Sequence, residues 1–231
     1  MHSLQPPYYR GAYLTVLDNT LQLTPNPLLR FVARRMLGLD FHPILLPVDG
    51  NYIDPETPMT LNVENLRAPF DNFALEFSAS PAPGLKQGAY VLLVSLEPSA
   101  AGLKQINLWY LSYEHYGDQF GWDVANVGVC IELGNRIEIG PQGIQLSKNL
   151  QMVLPPGVET DEEMANRALP NYFYFVCVLA RFLWIYRCEN VGVRKLSESE
   201  QPIHAGNHYE LCCKGPTPFT WLPTVKIAQV H

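Results

Sequence analysis

The hydrophobic pattern of the chain is dominated by one stretch in its C-terminal half. From Tyr172 to Tyr186 every residue except Arg181 is apolar or aromatic, which predicts a helix that is hydrophobic on nearly all sides. Such a helix lies either in a protein core or in a membrane. A bilayer span needs about 20 apolar residues, and an arginine at its centre costs ~2.5–3.5 kcal/mol. The pattern therefore favours a buried core helix over a membrane span.

The residues before this stretch predict how the helix begins. Thr160 and Glu163 have the spacing of a capping box, and acidic residues occupy the first turn. Pro170 lies between this start and the apolar stretch, and a proline inside a helix removes a backbone hydrogen bond. We expect Pro170 to kink the helix or to divide it, in which case Asn171 caps the second part.

Alternating apolar and polar residues predict a series of strands in the middle of the chain. In residues 72–78, Phe73, Leu75 and Phe77 are expected to point inward and Glu76 outward or to a rim. Gly134 and the residue after it predict a tight turn, so that 127–133 and 136–139 form a hairpin. Further strands are predicted at residues 41–46, 90–96, 106–113, 144–154, 191–195, 209–213 and 224–228.

The N-terminal part of the chain predicts two short strands followed by a helix. The strands are expected at residues 12–17 and 21–23, with a turn between them. Asn26 then precedes Pro27, and Gly38 follows an apolar stripe, which are the start and stop signals of a helix.

These elements predict one α+β domain over residues 1–231. Because the strands are grouped apart from the helices, we expect a mainly antiparallel sheet packed against a buried C-terminal-half helix and a shorter N-terminal helix. The segment 79–88 is rich in proline, serine and glycine, which predicts a loop and a candidate hinge.

Composition and charge narrow the classes of function. Only 16% of the residues are charged, against the usual ~25%, while the chain has 4 Trp, 12 Tyr and 10 Phe. This balance predicts large buried faces or a surface that a partner covers. A net charge of −6 makes a nucleic-acid partner improbable. Five cysteines and an N-terminus without the pattern of a secretory signal favour reduced thiols in the cytoplasm.

Residues 110–123 concentrate aromatic, acidic and glycine residues in what the pattern predicts to be a loop. His115, oriented by Asp118 or Glu114, is a candidate general base, although no nucleophile motif accompanies it. Aromatic side chains in such number either pack beneath the protein or grip a partner. The candidate binding residues are Tyr113, Tyr116, Phe120 and Trp122.

A second candidate site lies at residues 204–213. His204, His208 and Cys212 are spaced four apart, which on a helix would align three ligands for zinc. Gly206 and the β-favouring residues that follow instead favour a strand, with His208 and Cys212 on one face. The chain has no paired zinc-ligand motif, so we expect no metal or other cofactor and keep the three residues as an alternative.

Arg181 has two interpretations. In the first interpretation, the aliphatic part of the side chain packs in the core. The guanidinium then reaches the edge of the core or contacts a carboxylate, for which Glu76 and Glu132 are the candidates. In the second interpretation Arg181 is a buried anchor that binds an anionic ligand.

Two segments resemble uncharacterised proteins of tailed phages and prophages. RAPFDNFALEF, residues 67–77, is similar to an Arg/Leu-Pro-Phe pattern followed by aromatic-Leu-Glu-Phe. RFLWIYRCENVGVRKL, residues 181–196, is similar to the helix and Asn-Val segment of those proteins, with SESEQPIHAGN where they carry a basic run. The resemblance implies a phage setting and, for a phage-encoded chain, the cytoplasm of the host cell. It implies no biochemical activity.

The sequence contains no phosphate-binding glycine loop, no GxSxG elbow and no HExxH motif. The leading hypothesis is therefore a phage-type accessory protein that acts by binding a host or phage protein, or a ligand. One alternative is a hydrolase or nucleotide-processing enzyme that uses His115 with Asp118, or a metal at the 204–213 site. Another is a virion component, which would form a homo-oligomer.

Overall fold

The structure is a computed structural model, and it describes residues 10–47, 50, 52, 57–63, 66–79, 88–98, 104–116, 119–132, 134–159, 161–188, 190–197 and 208–213. The strand predicted at residues 224–228 lies outside these ranges, as do most of the predicted hinge loop 79–88, Asp118 and His204.

The described residues form three helices and twelve strands. The helices are α1 (Arg10–Leu23), α2 (Pro27–Leu37) and α3 (Glu162–Tyr186). The strands are β1 (His42–Leu45), β2 (Met59–Asn62), β3 (Asn72–Ala79), β4 (Gly88–Pro98), β5 (Lys104–Tyr116), β6 (Gln119–Val124), β7 (Gly128–Glu132), β8 (Arg136–Gly140), β9 (Gly143–Leu146), β10 (Gln151–Val153), β11 (Val191–Lys195) and β12 (Tyr209–Cys213).

Nine of the strands form one large sheet. Its order is β10-β7-β5-β4-β3-β1-β12-β11, and β6 pairs with β5 beyond the end of β7. All neighbours are antiparallel except β1, which runs parallel to both β3 and β12. The predicted α+β class with a mainly antiparallel sheet is confirmed.

The helix α3 lies between the large sheet and a small sheet of order β2-β8-β9. One apolar cluster joins the buried side of α3 to Phe73 and Phe77 of the large sheet and to Leu61 and Ile137 of the small sheet. Among the described residues, only α3 is long and apolar enough to cross a membrane, and 56% of its apolar window is buried inside the protein. The predicted core helix is therefore present, and sheets on two sides account for its apolar surface.

The start of α3 differs from the prediction. The N-cap is Asp161, whose side chain accepts a hydrogen bond from the backbone N–H of Glu163 at 2.8 Å. The helix continues through Pro170, so its predicted division, with Asn171 as a second cap, is wrong. Proline removes one backbone hydrogen bond, whereas packing against two sheets stabilises the whole apolar part of the helix.

The N-terminal helices cover the opposite face of the large sheet. The strands predicted at residues 12–17 and 21–23 are wrong, because this segment is α1. Short apolar runs fit a helix as well as a strand, and the spacing of Leu14, Leu17 and Leu21 suits a helix that packs on α2. The prediction for α2 is confirmed, since Asn26 caps its N-terminus and Gly38 follows its last residue.

The hairpin predicted at residues 127–139 is also wrong. β7 pairs with β5 and β10 in the large sheet, whereas β8 pairs with β2 and β9 in the small sheet. Gly134, with a φ of 76°, turns the chain from one sheet to the other. The buried amide of Asn135 holds this crossing through hydrogen bonds to the backbone of Lys148, at 2.9 and 3.1 Å. Residues 144–154 accordingly form two strands, one in each sheet.

Candidate functional site

The predicted aromatic loop at residues 110–123 is a β-hairpin. β5 continues to Tyr116, and β6 returns antiparallel to it. Tyr113 and Trp122 are cross-strand partners, with ring centroids 5.4 Å apart, and both rings are half-buried. Aromatic cross-strand pairs of this kind stabilise a ladder. The structure therefore brings two of the four predicted binding residues into contact.

The other residues predicted in this segment are placed only by the backbone ladder. Tyr116 is the register partner of Gln119, and His115 that of Phe120. Their side chains lie outside the described part of the structure, and so does Asp118. The pairing of His115 with Asp118 as a general base stays a prediction.

β6 lies at an edge of the large sheet. Within the described residues it pairs with β5 alone, because β7 occupies a different part of the same side of β5. One face of β6 meets the N-terminal helices, where Trp122 packs against the apolar cluster of α1 and α2. The next residue, Asp123, is exposed, and its Oδ1 accepts a hydrogen bond from the N–H of Val124 at 2.9 Å.

His208 and Glu76 form a buried pair. Nε2 of His208 lies 2.9 Å from Oε2 of Glu76, and the two residues are 0% and 1% exposed. The predicted outward position of Glu76 is wrong, because β3 is an interior strand whose two faces are both buried. The pair crosses β1, which lies between β3 and β12. It therefore ties the two parallel pairings of the sheet together.

The predicted zinc ligands are only partly described. The strand prediction is confirmed, since Cys212 lies on β12, and His208 directly precedes that strand. In the described part of the chain, no group of three His, Cys, Asp or Glu residues is arranged to hold a metal ion. His204 lies outside it. All five cysteines are free thiols.

Arg181 is 8% exposed on α3. The two carboxylates predicted as its partners have other partners in the structure. Glu76 contacts His208, and Glu132 accepts a hydrogen bond from Gln151 at 2.7 Å. The role of Arg181 as an anchor for an anionic ligand stays a prediction.

Sequence reasoning missed a group of polar side chains on the face of the large sheet that α2 covers. Strand register places them in two adjacent rows across β4, β5, β7 and β10. The only signal along the chain is a polar residue at every second position where the strands are otherwise apolar. We refer to these seven residues as the polar patch: Ser95, Asn107, Cys130 and Gln151 in one row, and Glu97, Gln105 and Glu132 in the next.

The polar patch is connected by side-chain hydrogen bonds. Ser95 donates to Glu97 at 3.1 Å, and the amide of Gln105 donates to Oδ1 of Asn107 at 3.4 Å. Arg35, from the last turn of α2, forms an ion pair with Glu97. Its guanidinium also lies 5.5 Å from the centre of the Trp109 ring, which borders the patch.

The thiol of Cys130 has a perturbed pKa within this patch. Burial raises its pKa from 9.0 to about 11, and the carboxylates of Glu132 and Glu97 add to the rise. Burial likewise raises the pKa of the Cys177 thiol on α3 to about 11, against a smaller lowering by Arg181. Both thiols are therefore neutral and weakly nucleophilic at physiological pH.

These thiols predict that the folded state begins to lose stability near pH 9, a loss that measurements between about pH 8 and about pH 10 detect. The unfolded thiols ionise near pH 9.0 and the folded ones near 11, so the unfolded chain binds fewer protons in this range and is favoured. The stabilisation is complete below the unfolded pKa and is lost as the pH rises toward the folded value. From about 1.4 kcal/mol per pKa unit, each thiol accounts for about 1 kcal/mol of lost stability by pH 10.

Urea unfolding of the wild type and of Cys130→Ala across this range measures the fall in stability, which should be about 1 kcal/mol smaller in the variant. Equal falls contradict the assignment to Cys130.

Two depressions that open to solvent flank α3. A groove of about 750 Å³ lies beside Trp184, Arg187 and the small sheet. A cleft of about 340 Å³ lies where Asn126 approaches Arg167 and Tyr172. Both volumes fall in the range of ~300–1,000 Å³ that ligand pockets occupy. Trp184 is half-buried there, on the opposite side of the large sheet from Trp122.

Comparison of the chain with protein-family models, curated proteins and solved structures finds no match.

Proposed function

We propose that this chain is a binding protein whose working surface is the edge formed by β6. The observation that carries the proposal is that β6, which pairs only with β5 among the described strands, carries Trp122 of the cross-strand aromatic pair. An edge strand offers backbone N–H and C=O groups to which an extended segment of another protein adds as a further strand. The half-buried tryptophan supplies apolar contact area beside those groups.

The enzyme alternative has less support from the geometry. The closest contact between a histidine and a carboxylate among the described side chains is that of His208 and Glu76. Both residues are fully buried, so a substrate has no access to them. Their position across β1 gives the pair a structural role.

A phage setting is part of the same proposal: an accessory protein in the cytoplasm of the host cell, with a host or phage protein as its partner. The two segments that resemble phage proteins pack against each other. The guanidinium of Arg67 lies 5.2 Å from the ring centre of Tyr186, and the rings of Phe73 and Phe182 are 5.6 Å apart. The resemblance thus falls on one packing unit of the core, and the β6 edge lies outside it.

The test of the β6 edge uses a random library of 12-residue peptides selected on the immobilised chain. We expect Trp122→Ala to weaken the binding of the selected peptides to the chain by about 2 kcal/mol or more, which is roughly a thirtyfold rise in Kd. Trp184→Ala is the matched control, because it removes another half-buried tryptophan on the far side of the sheet. Trp184→Ala should leave the affinity for the peptides unchanged, while lowering the free energy of unfolding by about as much as Trp122→Ala does. Binding is measured by biolayer interferometry.

Hydrogen exchange of the peptide complex locates the binding surface. Strand addition predicts new protection of the backbone amides of residues 119–124 in the complex. Protection confined to other strands, or equal losses in the two tryptophan variants, contradicts the proposal. Light scattering measures the oligomeric state of the chain and of the Trp122→Ala variant. A dimer that dissociates on Trp122→Ala assigns the edge to a second copy of the chain, as a virion component would require, and not to a different protein.

A further inference from the structure

The polar patch contains buried hydrogen-bond donors without acceptors. Nδ2 of Asn107 and Nε1 of Trp109 have no hydrogen-bond partner, although both residues are 0% exposed. Nε of Arg35, whose guanidinium lies 5.5 Å from the centre of the Trp109 ring, is also buried without a partner. A buried donor left unpaired costs about 1–3 kcal/mol, and such groups in native proteins are normally paired. Three such donors border one side-chain cluster, so this cluster can donate hydrogen bonds to an acceptor that the chain itself does not supply.

Strand register explains why these donors lie together. Asn107 and Trp109 lie two residues apart on the same face of β5. The pairing of β5 with β7 runs as far as Leu108 and Val129, and Trp109 and Gly128 are the next residues along the two strands. A Cβ at Gly128 would lie 2.7 Å from Cδ1 and Cε2 of the indole, so the ring lies across β7 in space that only a glycine leaves empty. This position puts the indole N–H beside the row that holds Asn107 and Cys130.

The charges around the patch indicate which ligand it accepts. Its described ionic groups are the guanidinium of Arg35 and the carboxylates of Glu97 and Glu132, with Arg35 already paired to Glu97. The second carboxylate disfavours an anion, and the three unpaired donors disfavour a cation. The combination suits an uncharged molecule that has both acceptors and donors.

We propose that the polar patch binds a small uncharged molecule through its carbonyl or hydroxyl oxygens and its N–H or O–H groups. The oxygens accept hydrogen bonds from Asn107 and from the indole of Trp109. The N–H or O–H groups of the ligand donate hydrogen bonds to the carboxylates of Glu97 and Glu132 in the outer row. Amides, nucleosides and sugars share this chemistry.

Arg35 is the side chain that a ligand must displace. Its side chain is 32% exposed and that of its partner Glu97 is 26% exposed, whereas Ser95 and Asn107 beneath them are at 0%. The ion pair is thus the outermost layer of the patch. Since partly exposed ion pairs contribute little to stability, opening this one costs little.

The test uses the full chain labelled with ¹⁵N at its tryptophan indoles. The chain has 4 Trp, and phenylalanine substitutions at Trp122, Trp184 and Trp221 assign the Trp109 signal by elimination. Separate titrations with neutral amides, nucleosides and monosaccharides distinguish the possible ligand classes, with acetate and methylammonium as charged controls. We expect at least one neutral class, and neither charged control, to shift the Trp109 signal to saturation.

Two variants separate a binding role from a structural one. Asn107→Leu removes the unpaired Nδ2 donor together with the acceptor of the long 3.4 Å hydrogen bond from Gln105, so it should weaken binding at least tenfold while leaving the thermal unfolding midpoint unchanged or higher. Ser112→Ala removes another buried polar group from the opposite face of β5 and should bind as the wild type does. Trp122→Ala should also bind normally, because the patch does not use β6. This separates the result from that for the β6 edge.

Four results would overturn the proposal. The first is no shift of the Trp109 signal with any neutral class, and the second is an equal shift with the charged controls. The third is unaltered binding by Asn107→Leu. The fourth is a high-resolution crystal structure in which ordered water alone bonds to Asn107 and Trp109, and no neutral probe displaces it.

Discussion

Replacing His208 by phenylalanine is expected to lower the free energy of unfolding by about 3–5 kcal/mol. Nε2 of His208 is the partner of Oε2 of Glu76, and Oε1 of the same carboxylate already has none. The substitution leaves a fully buried carboxyl group without any hydrogen bond, and burying an unpaired polar or charged group is among the most costly single changes. Urea unfolding followed by circular dichroism measures the loss.

Two controls test whether the pairing itself is responsible. In the double variant Glu76→Leu with His208→Phe, both polar groups are absent, so most of the lost stability should return. Glu210→Ala breaks the partly exposed ion pair between Glu210 and Arg194 on the neighbouring strands and should cost less than about 1 kcal/mol. If His208→Phe costs no more than Glu210→Ala, the buried pair does not stabilise the parallel strands.

Substituting Gly128 by alanine is expected to cost about 2–3 kcal/mol, near the upper end for an overpacked core. The added methyl group would overlap the indole of Trp109, which is 0% exposed and packs in the apolar cluster with residues of α1 and α2. The strand backbone would have to shift, and with it the pairing of β7 with β5. Thermal and urea unfolding give the change in stability.

Gly140→Ala is the matched control, because Gly140 also lies in a strand and a Cβ there meets nothing within 4 Å. It should change stability by less than about 0.5 kcal/mol. Combining Gly128→Ala with Trp109→Phe should cost less than the sum of the two single changes, since the smaller ring relieves the overlap. Additive losses would show that the contact between glycine and indole is not the cause.

β5 links the two proposed surfaces. Its C-terminal residues pair with β6 and carry Tyr113, and its N-terminal residues pair with β7 and carry Gln105 and Asn107. Because different residues of one strand serve each surface, the Trp122 and Asn107 variants test them independently.

Local pattern determined several elements of this protein. The cap at Asn26 and the stop at Gly38 define α2 correctly, because capping depends on neighbouring residues alone. The apolar run of α3, interrupted by Arg181 alone, predicts a buried helix, and the two sheets cover most of its apolar surface. The alternation in β3, β4 and β5 likewise identifies the strands of an α+β protein.

Only the tertiary structure decided which elements meet. Residues 12–17 are apolar enough for a strand or a helix, and contact with α2 selects the helix. Glu76 was expected outside, but its burial depends on His208, which lies far away in sequence. The polar patch arises because register aligns Ser95, Asn107 and Cys130 across three strands. Periodicity records which faces of an element are buried, but strand partners and register follow from long-range contacts that no local pattern contains.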